Sequence, residues 1–183
     1  MKKILQLSIL LLSVYLSAQE PVLVRHDFPG SNRFSKGNYR NLTVVNNTLF
    51  FVTDDGNVGS ELFKSDGTEA GTVLVKDIYP GAGQSKSSKP TGMISFNNQL
   101  FFFAYIGDTN NPNSDLWKSD GTEEGTVKIK EVTLGFSGSR IVIENTLYFE
   151  GRTKHSGDEL WKTDGTAEGT VLVKTINPNE TNK

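Results

Sequence analysis

One block of residues occurs three times in this chain without gaps, which limits the fold to architectures built by repetition. The copies are ELFKSDGTEAGTVLVKDI from Glu61, DLWKSDGTEEGTVKIKEV from Asp115 and ELWKTDGTAEGTVLVKTI from Glu159. A second phrase, a turn rich in Asn followed by an aromatic strand, precedes each block at residues 46–51, 97–102 and 144–149. Two phrases in the same order, three times over, indicate a tandem array of one structural unit.

Each unit is predicted to contain four short antiparallel strands. In the second copy, residues 92–96 and 100–105 flank an Asn-Asn turn, whose residues tolerate positive φ. Residues 115–118 and 126–132 flank a turn with two Gly, which permit left-handed backbone. No segment longer than about two turns has a helical period. The chain is therefore predicted to be all-β.

The spacing of the units favours β-propeller blades over a β-solenoid. The turn glycines Gly67, Gly121 and Gly165 are 54 and 44 residues apart, whereas solenoid coils are shorter. Adjacent large apolar residues such as Leu160 and Trp161 load both faces of a strand, which suits a sheet covered on both sides. We predict tandem four-stranded blades, three in number, in an open or partial propeller, because about 4 to 8 blades usually close a ring.

Residues 1–18 are predicted to be a signal peptide. Lys2 and Lys3 precede an apolar run over 4–16, and small residues follow at 17–18. The run is too short as a helix to cross a hydrocarbon core of about 30 Å. We therefore expect cleavage before residue 19, no membrane insertion afterwards, and a repeat domain over 19–183 that is secreted or held at the cell surface.

A strand of the Val-Leu-Val-Lys type occurs four times, near residues 22, 73, 127 and 171, while the other strands of the unit occur three times. The units are placed accordingly at about 22–72, 73–126 and 127–170, with 171–177 starting a further unit. The surplus strand predicts either missing further repeats or self-association.

Composition excludes much of the familiar catalytic and metal chemistry. The chain has no Cys and two His, so disulfides, thiolate metal sites and cysteine nucleophiles are excluded. A net charge of −2 without a block of like charges argues against nucleic acid as a partner. The segment Gly135-Phe136-Ser137-Gly138-Ser139 nearly spells the G-x-S-x-G nucleophile motif, but it ends in Ser and no helix is predicted after it. We predict no catalytic residue and no cofactor.

The recurrent acids are assigned to structure. Asp66, Asp120 and Asp164 suggest a ring of carboxylates for calcium or sugar, but an Asp before Gly caps its own turn, and that explains the spacing. The acids at 61, 115 and 159 are interpreted as solvated strand-end charges near Lys. The residues assigned to the structural repeat are Phe63, Asp66, Gly67, Gly71, Trp117, Asp120, Gly121, Gly125, Trp161, Asp164, Gly165 and Gly169.

Calcium stays open as an alternative at one loop only. In the second copy this loop supplies Asp108, Asn110, Asn113 and Asp115, all with oxygen ligands. The spacing does not fit the twelve-residue calcium loop, and the corresponding loop of the third copy is cationic. A metal site common to all units is therefore not expected.

The repeated block resembles the ELWxxDGT repeats of secreted bacterial proteins. The motif matches fully at residues 159–166, with Asp115 in place of Glu in the second copy and Phe63 in place of Trp in the first. The resemblance implies a tandem, propeller-like array and export, and it brings no enzymatic activity with it.

We therefore expect an exported, non-catalytic repeat protein for binding, adhesion or surface and extracellular architecture, with an extracellular protein or glycan as partner. The alternative is an extracellular propeller enzyme that acts on polysaccharide through carboxylates. Such an enzyme needs acids in one blade that the others lack, and the aligned blocks repeat their acids almost identically.

Overall fold

The computed structural model describes residues 39–81, 86–107, 114–153 and 156–176, which form three antiparallel sheets. The first sheet consists of β1 (Arg40–Val45), β2 (Thr48–Asp54), β3 (Ser60–Ser65) and β4 (Val73–Lys76). The second consists of β5 (Thr91–Phe96), β6 (Gln99–Ala104), β7 (Asp115–Ser119) and β8 (Val127–Lys130). The third consists of β9 (Thr133–Leu134), β10 (Arg140–Ile143), β11 (Thr146–Thr153), β12 (Ser156–Thr163) and β13 (Val171–Lys174).

Each sheet is a meander in which consecutive strands pair in chain order, and the short β9 pairs with β11 at the side. The described residues contain no helix, and none of them forms a helix able to span a membrane. This confirms the all-β prediction of tandem four-stranded blades, in a propeller-like arrangement that is not closed. The predicted signal peptide and the first Val-Leu-Val strand lie outside the described residues.

The sheets do not begin at the residues where the predicted units begin. Val73–Lys76 pairs with the strand before it and completes the first sheet, and Val127–Lys130 completes the second in the same way. Val171–Lys174 pairs with β12 and completes the third sheet instead of starting a further unit. The second and third sheets thus begin one strand later than the units placed at residues 73 and 127, because a repeated sequence does not show which strand comes first.

The Asn-Asn turns of the first two sheets have the backbone that their sequence predicts. Asn46 and Asn47 have φ of 48° and 63°, and Asn97 and Asn98 have 48° and 58°. Two successive left-handed residues form the type I′ turn, which matches the twist of a hairpin. In the third sheet the first turn residue, Glu144, has a φ of 52°, whereas Asn145 does not have a positive φ.

Two apolar cores lie between the three sheets. The first joins residues such as Phe50 and Leu62 of the first sheet to Phe102 and Trp117 of the second. The second joins the opposite face of the second sheet to the third, with the following buried members: Phe96, Phe101, Phe103, Leu116, Val132, Leu147, Phe149 and Trp161. The tryptophans therefore pack between neighbouring sheets.

Candidate functional site

We call the face that a sheet turns toward the next sheet along the chain its back face. In the third sheet, which no described sheet follows, the back face is the one that carries the same repeat positions. In the first sheet this face includes Val45, Leu62 and Ile78, which are 5, 0 and 6 % exposed. In the second sheet the equivalent residues include Phe96 and Leu116, which are 3 and 0 % exposed. The back faces of the first two sheets are thus sealed by the sheet that follows.

The back face of the third sheet presents the same repeat positions to solvent. Ile143, Leu160, Val173 and Ile176 are 54, 40, 44 and 69 % exposed, and Tyr148 is half-buried beside them. No described sheet lies beyond this face. Sequence positions that build a core in two sheets thus form an exposed apolar surface in the third.

Lysines on the back faces contact the turn of the next sheet. Lys64 donates from Nζ to the carbonyl oxygen of Gly121 at 2.8 Å, and Lys118 donates to that of Gly165 at 3.0 Å. Their counterpart on the third sheet, Lys162, is exposed. Lys64 and Lys118 therefore link successive sheets rather than pairing with the acid in their own strand.

A second lysine of each unit makes a similar contact. Lys76 donates to the carbonyl oxygen of Glu123, and Lys130 donates to that of Ala167, both at 3.1 Å. The equivalent Lys174 of the third sheet is exposed. Two lysine contacts therefore repeat at each junction between sheets.

The turn aspartates are engaged within their own turns. Oδ1 of Asp66 accepts hydrogen bonds from the backbone N–H and the hydroxyl of Thr68, at 2.9 and 2.7 Å. The same pair of bonds recurs at the other two turns, where Asp120 and Asp164 accept from the Thr two residues later. The Thr hydroxyl bond, followed by the Thr N–H bond, lowers the pKa of all three aspartates.

The glycine five residues after each aspartate leaves room for that carboxylate. A Cβ at Gly71 would lie 2.0 Å from Oδ1 of Asp66, and the corresponding separations are 2.1 Å for Gly125 and Gly169. A side chain at these positions would displace the aspartate from its threonine. The spacing of Asp, Thr and Gly thus allows the aspartate to bond the threonine of its own turn.

The strand acids are not solvated, which corrects the expectation from sequence. Glu61, Asp115 and Glu159 are 0, 1 and 4 % exposed. Glu159 accepts the backbone N–H of Ile176 at 2.8 Å, and Glu61 accepts that of Ile78 at 3.1 Å. Each of these two glutamates therefore fixes the segment that leaves the fourth strand of its sheet.

Glu61 has a further role at the junction of the first two sheets. It accepts the backbone N–H of Ser88 at 2.7 Å and also binds the hydroxyl of that serine. Burial raises the pKa of Glu61 to about 7, although the hydrogen bonds from Ser88 and Ile78 favour the charged form; the nearby Asp77 adds repulsion.

Of the calcium candidates, only Asp115 lies in the described part of the chain. It is buried, and its Oδ2 lies 3.3 Å from Nζ of Lys128. Asp108, Asn110 and Asn113 lie outside that part. Among the residues that the structure describes, no group of three or more His, Asp or Glu side chains is placed to hold a metal ion.

The strands of the third sheet contain two acids that the strands of the other sheets lack. Glu150 occupies the position of Val52 and Phe103, and Asp158 occupies that of Ser60 and Ser114. Both line a groove of about 350 Å³ on the back face of the third sheet, beside Tyr148, Leu160 and Ile176. Aligning the copies outside the repeated block would have revealed these acids, which the sequence analysis missed.

The near-motif around Ser137 lies beside these two acids. Glu150 accepts the backbone N–H of Ser137 at 3.0 Å and also binds its hydroxyl. Asp158 accepts the N–H of Phe136 at 3.2 Å and lies 3.5 Å from Nε of Arg152. The serine thus contacts a carboxylate in an exposed turn, and the segment has no helix after it.

No protein-family model matches this sequence, and no curated protein matches it. Among solved structures, the chain is similar to a crystal structure of puromycin hydrolase, with a TM-score of 0.53 and 12% identity over 76% of this chain. A mutant of that enzyme complexed with PGG gives a TM-score of 0.51 and 13% identity over 78% of this chain. The chain spans 21% of the length of each. At this identity the likeness concerns the fold alone.

Proposed function

We propose that this chain is an exported, non-catalytic repeat protein that acts by binding, in adhesion or in surface and extracellular architecture. The observation that carries the proposal is the exposed back face of the third sheet. Ile143, Leu160, Val173 and Ile176 lie there at positions that are core elsewhere in the chain. Contiguous exposed apolar residues of this kind mark interaction sites.

The repeated polar groups support binding over catalysis. The turn aspartates are held by the threonines of their own turns, and Glu61 and Glu159 by backbone N–H groups. Asp115 is paired with Lys128. Each of these carboxylates is therefore engaged by a partner within the array, so none of them is available as a general acid or base.

The alternative is an enzyme that acts on polysaccharide through Glu150 and Asp158. The observation in its favour is that both acids occur in one sheet only and line the same groove. Glycoside hydrolysis uses a pair of carboxylates. Fold by itself does not decide between the two functions.

Two assays on the full chain distinguish these functions. In the first, the chain is pelleted with insoluble bacterial cell-surface material, and we expect it to co-sediment. Leu160→Glu should abolish this co-sedimentation. The control Phe136→Glu, at a residue 91 % exposed on a turn, should leave it intact. In the second, soluble polysaccharides are incubated with the chain, and we expect no new reducing ends. Hydrolysis that Glu150→Gln or Asp158→Asn abolishes would establish the alternative.

Export is tested separately. We expect bacterial expression of the full chain to release a protein whose N-terminal sequence begins at Gln19. Retention of residues 1–18 on an intracellular product would contradict this part of the proposal.

A further inference from the structure

We propose that the back face of the third sheet docks the first sheet of a second copy of this chain, head to tail. The inference rests on the proposed binding function and names a second copy as the partner of this face when no surface material is present; the second copy and surface material would compete for the same face. The tail is the back face of the third sheet, represented by Tyr148, Leu160 and Lys162. The head is the opposite end of the array, the front face of the first sheet together with the turn at Gly67.

The two junctions within the chain show how such a contact is built. At the first junction, Lys64 binds the carbonyl oxygen of Gly121, and the ring of Phe50 lies 3.2 Å from where a Cβ of that glycine would be. At the second junction, Lys118 binds Gly165 in the same way, and the ring of Phe101 lies 3.1 Å from the equivalent point. An aromatic ring and a lysine of one sheet thus contact the glycine turn of the next.

The tail presents an aromatic ring and lysines at the same positions, and no described sheet contacts them. Tyr148 stands at the position of Phe50 and Phe101, and Lys162 at that of Lys64 and Lys118. Lys174 similarly repeats the second lysine contact of each junction. The tail therefore presents both lysines and the aromatic ring of a junction.

The head presents the complementary turn. Among the described atoms, none lies within 4 Å of the Cβ position at Gly67, in contrast to the aromatic ring found at each of the other two turns. Glu69, whose counterparts Glu123 and Ala167 accept the second lysine, is exposed. Docking would place Lys162 on the carbonyl oxygen of Gly67 and Lys174 on that of Glu69.

The apolar surfaces of head and tail also fit one another. The front face of the first sheet contains a groove of about 510 Å³, lined by residues that include Leu42, Val44 and Leu49. Leu42 and Val44 are each 61 % exposed. The carboxylate of Glu150 on the tail already accepts a hydrogen bond from the backbone N–H of Ser137, so one of its oxygens has a hydrogen-bond donor before docking.

A second copy is the partner that satisfies both ends at once. Head and tail are different surfaces, so the contact is heterologous, and such contacts form rings when the rotation closes. Two copies bring together six described sheets, which falls within the range of about 4 to 8 that usually closes a propeller. We therefore infer a ring of two chains.

Light scattering on the purified full chain tests this inference through one variant at each end. The wild-type chain is expected to have the mass of a dimer. The tail variant Leu160→Glu and the head variant Val44→Glu are each expected to have the mass of a monomer. Phe136→Glu, an equally drastic change on an exposed turn, is the matched control and should remain a dimer. A monomeric wild-type chain at about 100 µM would overturn the inference.

Mixing the two variants tests the direction of the contact. Each variant retains one intact end, so an equal mixture should restore a dimer through a single junction, which also shows that both variants are folded. A contact between two tails would instead leave Val44→Glu dimeric by itself. That result, or a mixture that stays monomeric, would exclude the head-to-tail arrangement.

Cross-linking gives an independent measurement, since the chain has no Cys. Glu69→Cys and Lys174→Cys, made in separate copies and mixed with a short bismaleimide, should give a covalent dimer. Either variant alone should give several-fold less, and equal yields in all three samples would contradict the arrangement.

The size of the chain is measured without any surface material, so a monomer that still binds such material would overturn this inference and leave the proposed function standing.

Discussion

Ser88 donates its backbone N–H to Oε1 of Glu61 at 2.7 Å, and neither residue is exposed to solvent. The bond joins the third strand of the first sheet to the segment that leads into the second. The buried side chain of Glu61 thus links the first two sheets by hydrogen bonds, in addition to the apolar core between them. This carboxylate makes the stability of the array dependent on pH.

The first prediction concerns that dependence. The folded pKa of Glu61 is about 7, above its ordinary value of 4.5, so the folded state holds the proton more tightly than the unfolded state does. The resulting stabilisation is fully present below pH 4.5 and is lost as the pH rises through 7. At about 1.4 kcal/mol per pKa unit, urea unfolding should show a loss of about 3 kcal/mol across this window.

Glu61→Gln removes the titrating group and should flatten this part of the pH profile. Glu69→Gln, at an exposed glutamate, is the matched control and should keep the wild-type slope. Identical slopes in all three proteins would mean that Glu61 is not responsible for it.

The second prediction concerns Trp161, which packs between the second and third sheets with 8 % of its surface exposed. Trp161→Ala leaves a cavity in that core, and we expect unfolding in urea to cost about 3 to 5 kcal/mol less than in the wild type. Phe136→Ala, at a residue 91 % exposed, should change stability by no more than about 0.5 kcal/mol. A loss below about 1 kcal/mol at Trp161 would point instead to an aromatic residue kept for a ligand.

Strand positions and turns were predictable from sequence because their causes are local. The strand expected over 92–96 is observed as Thr91–Phe96, since an apolar-rich segment followed by an Asn-Asn turn specifies it within a few residues. Burial of Trp117 was also expected, because residues on both faces of its strand are apolar. These features need no knowledge of which sheet lies beside which.

The environment of the acids could not be predicted in this way. Glu61 is buried because Ser88, 27 residues away, supplies a backbone N–H to it, and no local pattern announces that contact. Glu150 and Asp158 were missed because they lie at positions that are apolar or Ser in the other copies. What repeats in a sequence indicates the scaffold, and differences between its copies must be sought separately.

The third prediction tests the fit between turn glycine and aspartate. Gly125→Ala would place a Cβ 2.1 Å from Oδ1 of Asp120, so the carboxylate must leave its bonds to Thr122; we expect a loss of about 1 to 3 kcal/mol in urea unfolding. In an Asp120→Ala background the carboxylate is absent, and the same substitution should cost clearly less. Equal costs in both backgrounds would show that the two residues are not coupled.

The last prediction compares two lysines at the same repeat position. Lys118 donates to the carbonyl oxygen of Gly165 at 3.0 Å, whereas Lys162 is exposed and has no hydrogen bond within the described residues. Lys118→Met keeps the aliphatic stem and removes a charged donor, so it should cost about 1 to 2 kcal/mol in urea unfolding. Lys162→Met should change stability by no more than about 0.5 kcal/mol, provided that both are measured in the Leu160→Glu background, where the tail is blocked. Equal losses at the two positions would mean that the contact with Gly165 contributes nothing to the junction between sheets.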